Sequence, residues 1–354
     1  MLGSEWFSAR PGGLNRYYQD LFERTESVTE VRVEGRAFGH PPEIGDTWGS
    51  MGGNLLRRVW ASRLRSETKF DVVDTHFVLY GLPLRLRTRG RRPVLRVRHF
   101  QGPWADESRV AGAHRGVVLL KRALERAVYR QADGFVVLSE DFKRRLVESY
   151  GVPNDKIRII SPGVDVGRFQ FAAEPTRGRV VCVRRLERRM GIDVLLRAWP
   201  RVAAERPGSV LDLIGAGSQR AELESLADSL GIAGSVRFLG RLSDSELVAA
   251  YQQAELSVVP SVDLEGFGLI ALESMACGTP TIVTDCGGLP DAVRGLSEGL
   301  IVDRNNVDAL ATRLLGALGG DVPERRACRA HAEKFGWDTV VSEHLRWYRE
   351  LQCA

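Results

Sequence analysis

The chain has 354 residues, of which 44% are apolar and 27% charged, with a formal net charge of +5. That is long for one core and suits two domains of about 150–200 residues with ordinary globular composition. No run approaches the ~18–20 apolar residues of a membrane span, and MLGSEWFSARPGG lacks the basic start and apolar core of a signal peptide, so a cytoplasmic protein is expected. The five cysteines have neither metal-ligand nor redox spacing and the six histidines form no HxxxH pair. Free or buried thiols in a reducing compartment, and no metal, are therefore expected.

Charge is unevenly divided. Residues 1–160 hold 28 Lys+Arg against 19 Asp+Glu, a net of +9, and the remainder has a net of −4. The two halves are thus expected to meet different partners. The first half opens on a strand, MLGSEWF, followed by RPGGLNRY, in which Gly12 and Gly13 pair at the strand's end. Further strands read at FDVVDTHF, PVLRVRHF, GFVVLS and KIRIIS, with helices such as LKRALERAVYRQ and EDFKRRLVESYG between them. In RHFQGPWADES, His99 and Gln101 are two residues apart and share one face of an extended strand. Basic residues crowd RLRTRGRRPVLRVRH and HRGVVLLKRALERAVYR. The latter reads as an amphipathic helix, with Lys121, Arg122 and Arg126 opposite Val118, Leu119, Ala123, Leu124 and Ala127. Two readings compete for it: a solvated arginine-rich face, or a surface for an anionic membrane or acceptor. Nucleic acid is not expected, since aromatics are not interleaved and no binding motif is present.

SPGVDVGRFQFAAEPTRG has three glycines, two prolines and no apolar period, as a linker does. It places a first domain at 1–162 and a second at 163–337. The last helix, 338–354, follows the completed second sheet and is expected to pack back on the first domain. From Gly178 onward, RVVCV, VLDLI, SVRFLG, LSVVP, TPTIVT and GLIVD alternate with helical stretches of about ten residues, the pattern of a parallel, doubly wound α/β sheet. SDSE, from Ser243 to Glu246, is a capping box, and Gly231 closes the preceding helix. RRLERRMGIDVLLRAW gathers Arg185, Arg188 and Arg189 after the first strand. GAGSQR, from Gly215, lacks the third glycine of a dinucleotide fingerprint and reads as a tight βα turn.

EGFGLIALE, Glu265 to Glu273, lies between a strand and a helix. Gly266 and Gly268 free the backbone to turn at a strand's carboxyl end, where open α/β sheets bind ligands. The N–H groups from Phe267 to Ile270 open the helix, and its dipole makes them a diphosphate site. Glu265 precedes the turn. Glu273 lies two helical turns on, within reach of ribose hydroxyls.

EGFGLIALE followed by MACGTPTIVTDCGGLPD resembles family 4 of the glycosyltransferases, and PGGLNRY, SPGVD, LIGAG and FLGRLSDSEL are similar to further segments of it. The resemblance runs along nearly the whole chain. It implies a GT-B fold, two Rossmann-like doubly wound parallel-sheet domains facing a crevice, the first for the acceptor and the second for the donor. It also implies an NDP-sugar as co-substrate with no cofactor, an acceptor hydroxyl, retention of configuration and no metal. Carried onto this chain, Glu265 holds donor-sugar hydroxyls, Glu273 binds ribose, and the amides of Gly266, Phe267, Gly268, Leu269 and Ile270 bind the phosphates. Gly215, Arg241 and Leu242 line the nucleotide site, while Gly12 and Gly13 let their loop close over acceptor and donor phosphate.

Two departures stand out. Arg185 matches the family's arginine, but Met190 stands where a lysine is usual. Without a metal the departing diphosphate needs cations, so Arg188 or Arg189 is expected to substitute, and a lysine restored at 190 is expected to be tolerated or mildly helpful. The segment that usually presents a histidine to the donor sugar aligns with Gln101, with His99 just before it. Met190 and Gln101 favour the rival reading, a non-catalytic GT-B protein that binds nucleotide or membrane as a partner subunit. Glu265, Glu273 and Arg185 oppose it.

Overall fold

The computed structural model describes residues 1–9, 12–50, 55–62, 70–80, 94–110 and 112–353. Arg10, Pro11 and most of the basic segment RLRTRGRRPVLRVRH lie outside the described residues. The chain divides into two units, Met1–Gly163 with Trp337–Ala354, and Val164–Gly336.

The first unit is built on β1 (Leu2–Glu5), β2 (Arg36–Phe38), β3 (Asp46–Thr47), β4 (Val72–Thr75), β5 (Leu95–Phe100), β6 (Gly134–Val137) and β7 (Ile157–Ile159). These form one parallel sheet in the order β3-β2-β1-β4-β5-β6-β7. Helices α1 (Gly13–Glu26), α2 (Leu55–Ala61), α3 (Trp104–Val110), α4 (Arg115–Tyr129) and α5 (Glu140–Tyr150) accompany it. Strands covered on both faces read as unbroken apolar runs, and all four residues of β6 are buried. Phe100, Tyr129, Phe135, Phe142 and Leu146 form the core beside it. Ser139 caps α5 by accepting from the Phe142 amide, and Gly151, with φ +69°, ends it. Its amide reaches Val147 and that of Val152 reaches Leu146, which satisfies carbonyls of the last turn.

Helix α4 corrects the sequence-based expectation. Of the five residues assigned to its apolar side only Val118 is buried, whereas Leu119 is 66% and Leu124 41% exposed. The inward face instead carries Val118, Glu125, Val128 and Tyr129. Glu125 takes the inner position because its carboxylate accepts from the amides of Trp104 (2.8 Å) and Ala105 (3.4 Å) and from the Tyr150 hydroxyl (2.8 Å). It thereby satisfies the first amides of α3. Burial raises its pKa above the ordinary value even so.

The second unit carries β8 (Thr176–Val183), β9 (Val210–Ile214), β10 (Val236–Gly240), β11 (Ala254–Val259), β12 (Thr281–Thr284) and β13 (Ile301–Val302). Its sheet is parallel in the order β10-β9-β8-β11-β12-β13. The strand order therefore reverses between β8 and β11, the switch point at which open α/β sheets bind ligands. The helices are α6 (Ile192–Glu205), α7 (Arg220–Ser229), α8 (Asp244–Gln253), α9 (Leu269–Ala276), α10 (Leu289–Val293), α11 (Val307–Leu318) and α12 (Arg325–Glu333). Trp199, wholly buried, centres the core between α6 and the sheet. Both punctuation signals hold: Ser243 and Glu246 form the capping box of α8, and Gly231, at φ +69°, closes α7 through bonds from Gly231 to Asp228 and Ile232 to Ala227. From Val164 on, the expected linker belongs to this unit, since Val164 donates to Phe335 and bridges to Gly336.

The last helix, α13 (Trp337–Cys353), belongs to the first unit and packs on α1. Its Tyr348 hydroxyl donates to Asp74 on β4.

Candidate active site

At the switch point of the second sheet, four βα loops are knitted together. The loop after β8 runs through Arg184 to a 3₁₀ turn, Arg188–Met190, and Gly191. Gly191 sits at φ +66°, and a Cβ there would lie 1.9 Å from the Pro260 carbonyl oxygen. The Val262 amide donates to the Arg189 carbonyl (3.0 Å), and Arg189 Nη1 donates to the Leu264 carbonyl (2.7 Å). The turn after β9 presses in from the other side. Gly215 (φ +140°) would bring a Cβ within 1.9 Å of the Arg184 carbonyl, and Gly217 within 2.2 Å of that of Leu186. GAGSQR is thus a tight turn stacked on the β8 loop, and Glu187 ties the two by accepting from the Ser218 amide and hydroxyl. The loop after β12 closes the ring: the Gly288 amide donates to the Glu265 carbonyl (2.9 Å), and a Cβ on Gly287 would lie 2.1 Å from that oxygen.

Glu265 is the centre of this arrangement. Its Oε2 accepts from Arg184 Nη2 and, at 3.3 Å, from the buried Ser261 hydroxyl. Burial pushes its carboxyl pKa up, but the Arg184 guanidinium, then Arg189 and the Ser261 hydroxyl, more than offset this and hold it below the ordinary value. Glu265 is therefore an anion at neutral pH. Gly268, in the left-handed region at φ +88°, is the N-cap of α9, and the first bond of the helix runs from Ala271 to Gly268. The amides before it point off the helix end, as an anion site requires. Phe267 is buried against Phe335, while Gly266, Leu269 and Ile270 are half-buried. Glu273, one face along α9, accepts from the Tyr251 hydroxyl (3.4 Å).

The arginines divide differently from the sequence pattern. Arg185 is exposed, and the cation on Glu265 is its neighbour Arg184. Arg188 is exposed and Arg189 half-buried. Met190 is 3% exposed within the hydrophobic cluster of Leu186, Ile192 and Leu195. A side chain at 190 therefore points into the core, and the expectation that a lysine there would serve the site is corrected. Arg241 is exposed and Leu242 half-buried just beyond β10.

In the first unit, Gly12 and Gly13 are exposed at the start of α1, and among the described residues no atom lies within 4 Å of a Cβ built on either. Gly12 is extended, at φ 169°. His99 is not presented to a ligand: its side chain is fully enclosed, its Nε2 donates to Asp74 (3.0 Å), and it stacks between His76 and His344. Gln101, half-buried, donates to His76 Nδ1 (3.0 Å). Asp74, His76 and His99 bring ligand-type atoms within 4.8 Å of one another, a cluster that spacing alone could not reveal. Yet the rings of His76 and His99 stack 3.8 Å apart at 17°. Lone pairs of parallel rings do not converge on one ion, so the arrangement fits a hydrogen-bonded network rather than a metal cage. His344 Nδ1 donates to the Val340 carbonyl (2.7 Å), leaving Nε2 for the Tyr17 hydroxyl (3.4 Å). Burial, then His99, lowers its pKa to about 4.

Comparison with known proteins identifies the family. The model for glycosyl transferases group 1 matches residues 165–335 and that for Glycosyltransferase Family 4 matches 11–168. A D-inositol 3-phosphate glycosyltransferase of Salinispora arenicola is 31% identical over 396 residues, covering 97% of this chain and 88% of the relative. One from Corynebacterium jeikeium is 33% identical over 315 residues, covering 80% and 73%. Sucrose-phosphate synthase from Thermosynechococcus elongatus superposes with a TM-score of 0.76 at 22% identity over 99% of this chain and 98% of that one. Anabaena HepE, solved with UDP and glucose, gives 0.73 at 16% over 98% of each. The two solved structures speak for the fold, and the sequence relatives for the family: the chain is a member of glycosyltransferase family 4, with the two parallel-sheet domains of the GT-B fold and a nucleotide sugar as donor.

Proposed function

We propose that the chain is a retaining, metal-independent transferase that moves a sugar from a nucleoside diphosphate to a hydroxyl of a small phosphate-bearing acceptor. The observation that carries this reading is the ionised, half-buried Glu265 set between the N-terminus of α9 and two arginines, Arg184 and Arg189. A carboxylate there accepts from sugar hydroxyls, and contacts that strengthen as the sugar becomes cation-like act in the transition state. The amides from Gly266 to Ile270 and the exposed Arg185 meet the departing diphosphate, supplying the positive charge that a metal supplies elsewhere. Glu273 takes the ribose. The bond from C1 to the diphosphate oxygen breaks, the acceptor oxygen attacks C1 from the same face, and the acceptor's proton passes to the departing phosphate.

Two things support an anionic acceptor: the relatives act, by name, on D-inositol 3-phosphate, and residues 1–160 carry a net charge of +9. Incubating the chain with UDP-, GDP-, ADP- and TDP-sugars and an inositol phosphate, and following NDP release, tests the reading. No release with any pair, from a folded chain, would leave the non-catalytic rival standing.

A second reading concerns place. On α4, Val117, Leu119, Leu120 and Leu124 are 44%, 66%, 61% and 41% exposed, beside Arg122, Arg126 and Arg130. Apolar side chains among arginines suit the inner face of an anionic membrane. No helix among the described residues is long and apolar enough to cross one. Lys121 and Arg122 already bind Ser108 and Asp106, so the leucines are the cleaner test. Leu119→Asp with Leu120→Asp should abolish sedimentation with vesicles of phosphatidylglycerol while sparing transfer to a soluble acceptor. Equal sedimentation of both proteins would end the membrane reading.

A further inference from the structure

Arg184 stands one position before the arginine that matches the family pattern, and no role falls to it from that pattern. Its side chain is only 8% exposed and Glu265's 15%. One nitrogen, Nη2, reaches both Glu265 Oε2 and the Ser261 hydroxyl, and that hydroxyl in turn donates to the same Oε2. Both grips thus fall on a single carboxylate oxygen, leaving Oε1 outside them. Arg184 Nε is buried with no partner among the described residues, so its desolvation is borne for the sake of the contact at Nη2.

Each member of the triangle is held from behind. Ser261 is fully buried and its carbonyl accepts from the Thr284 hydroxyl on β12. The Arg184 backbone is pinned by its own amide, which donates to Ile214 (2.9 Å), and by the close approach of Gly215 to its carbonyl. Leu264, immediately before Glu265, is held in the left-handed region at φ +49°, and its carbonyl accepts from Arg189. A non-glycine residue in that region persists only where its surroundings over-determine it. The backbone before the carboxylate and the side chains behind it are fixed independently of any ligand.

We propose that Arg184 and Ser261 form a clamp that holds the Glu265 carboxylate by Oε2 and presents Oε1 to a hydroxyl of the donor sugar, making Arg184 a positioning residue for transfer. The proposal rests on the reading of Glu265 as the sugar-binding group. A guanidinium suits the task because it is planar, permanently charged and able to reach two acceptors at once, whereas an ammonium is a point charge. The clamp also keeps a buried carboxyl ionised: without Arg184, burial would be opposed only by Arg189 and the Ser261 hydroxyl, and the pKa would rise.

Arg184→Met, Arg184→Lys and Ser261→Ala test it in two arms. In the first, with no ligand, the Glu265 carboxyl is titrated by carbon-13 NMR, using Glu265→Gln to identify its signal. The clamp requires Arg184→Met to raise the midpoint by at least one pH unit and Arg184→Lys to raise it less. An unmoved midpoint overturns the clamp, because a merely structural arginine would leave the titration alone. In the second, calorimetry compares UDP, GDP and ADP with their glucose and N-acetylglucosamine conjugates. Arg184→Met should leave affinity for the bare diphosphate within about twofold and weaken the sugar conjugate at least tenfold. Equal loss on both would make Arg184 a phosphate ligand and overturn the positioning role. Failure of the unaltered chain to bind any of these compounds would sink the donor-site reading, and the carboxyl titration would still decide the clamp. Where Arg184→Met does not fold, Arg184→Lys and Ser261→Ala carry the same two readouts.

Discussion

Replacing Met190 with lysine sets the sequence pattern against the packing. The pattern asks for a cation at this position, but the side chain is 3% exposed and lies among Leu186, Ile192 and Leu195. The backbone cannot swing it elsewhere. The Met190 amide donates to Glu187, and Gly191 is pressed so closely on Pro260 that even a Cβ would collide. A lysine has two ways to respond. It can stay buried and lose its proton; a drop of about three pKa units at 1.36 kcal/mol per unit costs about 4 kcal/mol. Or it can thread its ammonium outward and forfeit the packing of the methionine, as in truncations costing ~2–5 kcal/mol. Either way the second unit loses ~2–5 kcal/mol, which for a domain of 150–250 residues is a fall in Tm of roughly 5–20 °C. Met190→Leu, which conserves volume, should cost under ~1.5 kcal/mol. Differential scanning calorimetry, with NDP release measured below both transitions, makes the comparison. A Met190→Lys protein melting within about 2 °C of the unaltered chain, with equal or faster turnover, would show that position 190 opens to the site and that the packing argument is wrong.

Glu265→Gln should lower turnover by at least ~10²-fold, since the group it removes is charged and preorganised in a site of low water content; turnover within threefold in an NDP-release assay would displace the sugar site. Gly287→Ala puts a Cβ 2.1 Å from the Glu265 carbonyl at φ +56° and should cost ~1–3 kcal/mol from backbone strain alone, with a fall in turnover beyond that expected from the melting curve. Tyr348→Phe takes a donor from the buried Asp74 carboxylate and should destabilise the first unit by ~1–3 kcal/mol in urea titration. Acid should weaken the same unit. His344 titrates at about 4 when folded against ~6.5 unfolded, so the unfolded chain binds the proton first and about 3 kcal/mol of stability drains away as pH falls from 6.5 to 4. His76, also held well below its ordinary value by burial and then by His99, acts in the same direction. His344→Phe should flatten the fall of Tm across that window, and an unchanged slope would assign the acid sensitivity elsewhere.

The architecture could be read from the residues because its determinants are local. Apolar runs such as GFVV, and VLDLI with only Asp212 interrupting it, mark strands covered on both faces, and each is one. Ser243, Glu246 and Gly231 act on amides within a turn of themselves, so their neighbours in sequence suffice to place the helix ends. Helix α4 departs from its sequence pattern for the converse reason. Its periodicity gave the apolar stripe to Leu119, Ala123 and Leu124, but the inward position went to Glu125, whose partners Trp104, Ala105 and Tyr150 are 20 or more residues away. A charged residue looks like an outward one until the amides it satisfies are known. The Asp74 network escaped notice in the same way, because β4, β5 and α13 bring its members together from across the chain.

The candidate site shows where pattern ends and geometry begins, over a distance of one residue. The run RRLERRM locates a cationic loop at the switch point, and the structure places that loop against Glu265. Which arginine turns inward depends on how β8 ends. The Arg184 amide still pairs with Ile214 of the neighbouring strand, so residue 184 is the last to keep the strand's course before the chain turns. Its side chain meets the buried Ser261 in the loop after β11, while Arg185, already on the turn, is exposed. Two adjacent arginines of identical chemistry are thereby given different surroundings, one buried on a carboxylate and one exposed. Met190 follows from the same turn: three residues of 3₁₀ backbone expose Arg188, leave Arg189 on the Leu264 carbonyl and bury 190. The charges this loop leaves outside the core belong to Arg185, Arg188 and Arg189, and a lysine at 190 would join them only by giving up the packing that Met190 makes with Leu186, Ile192 and Leu195.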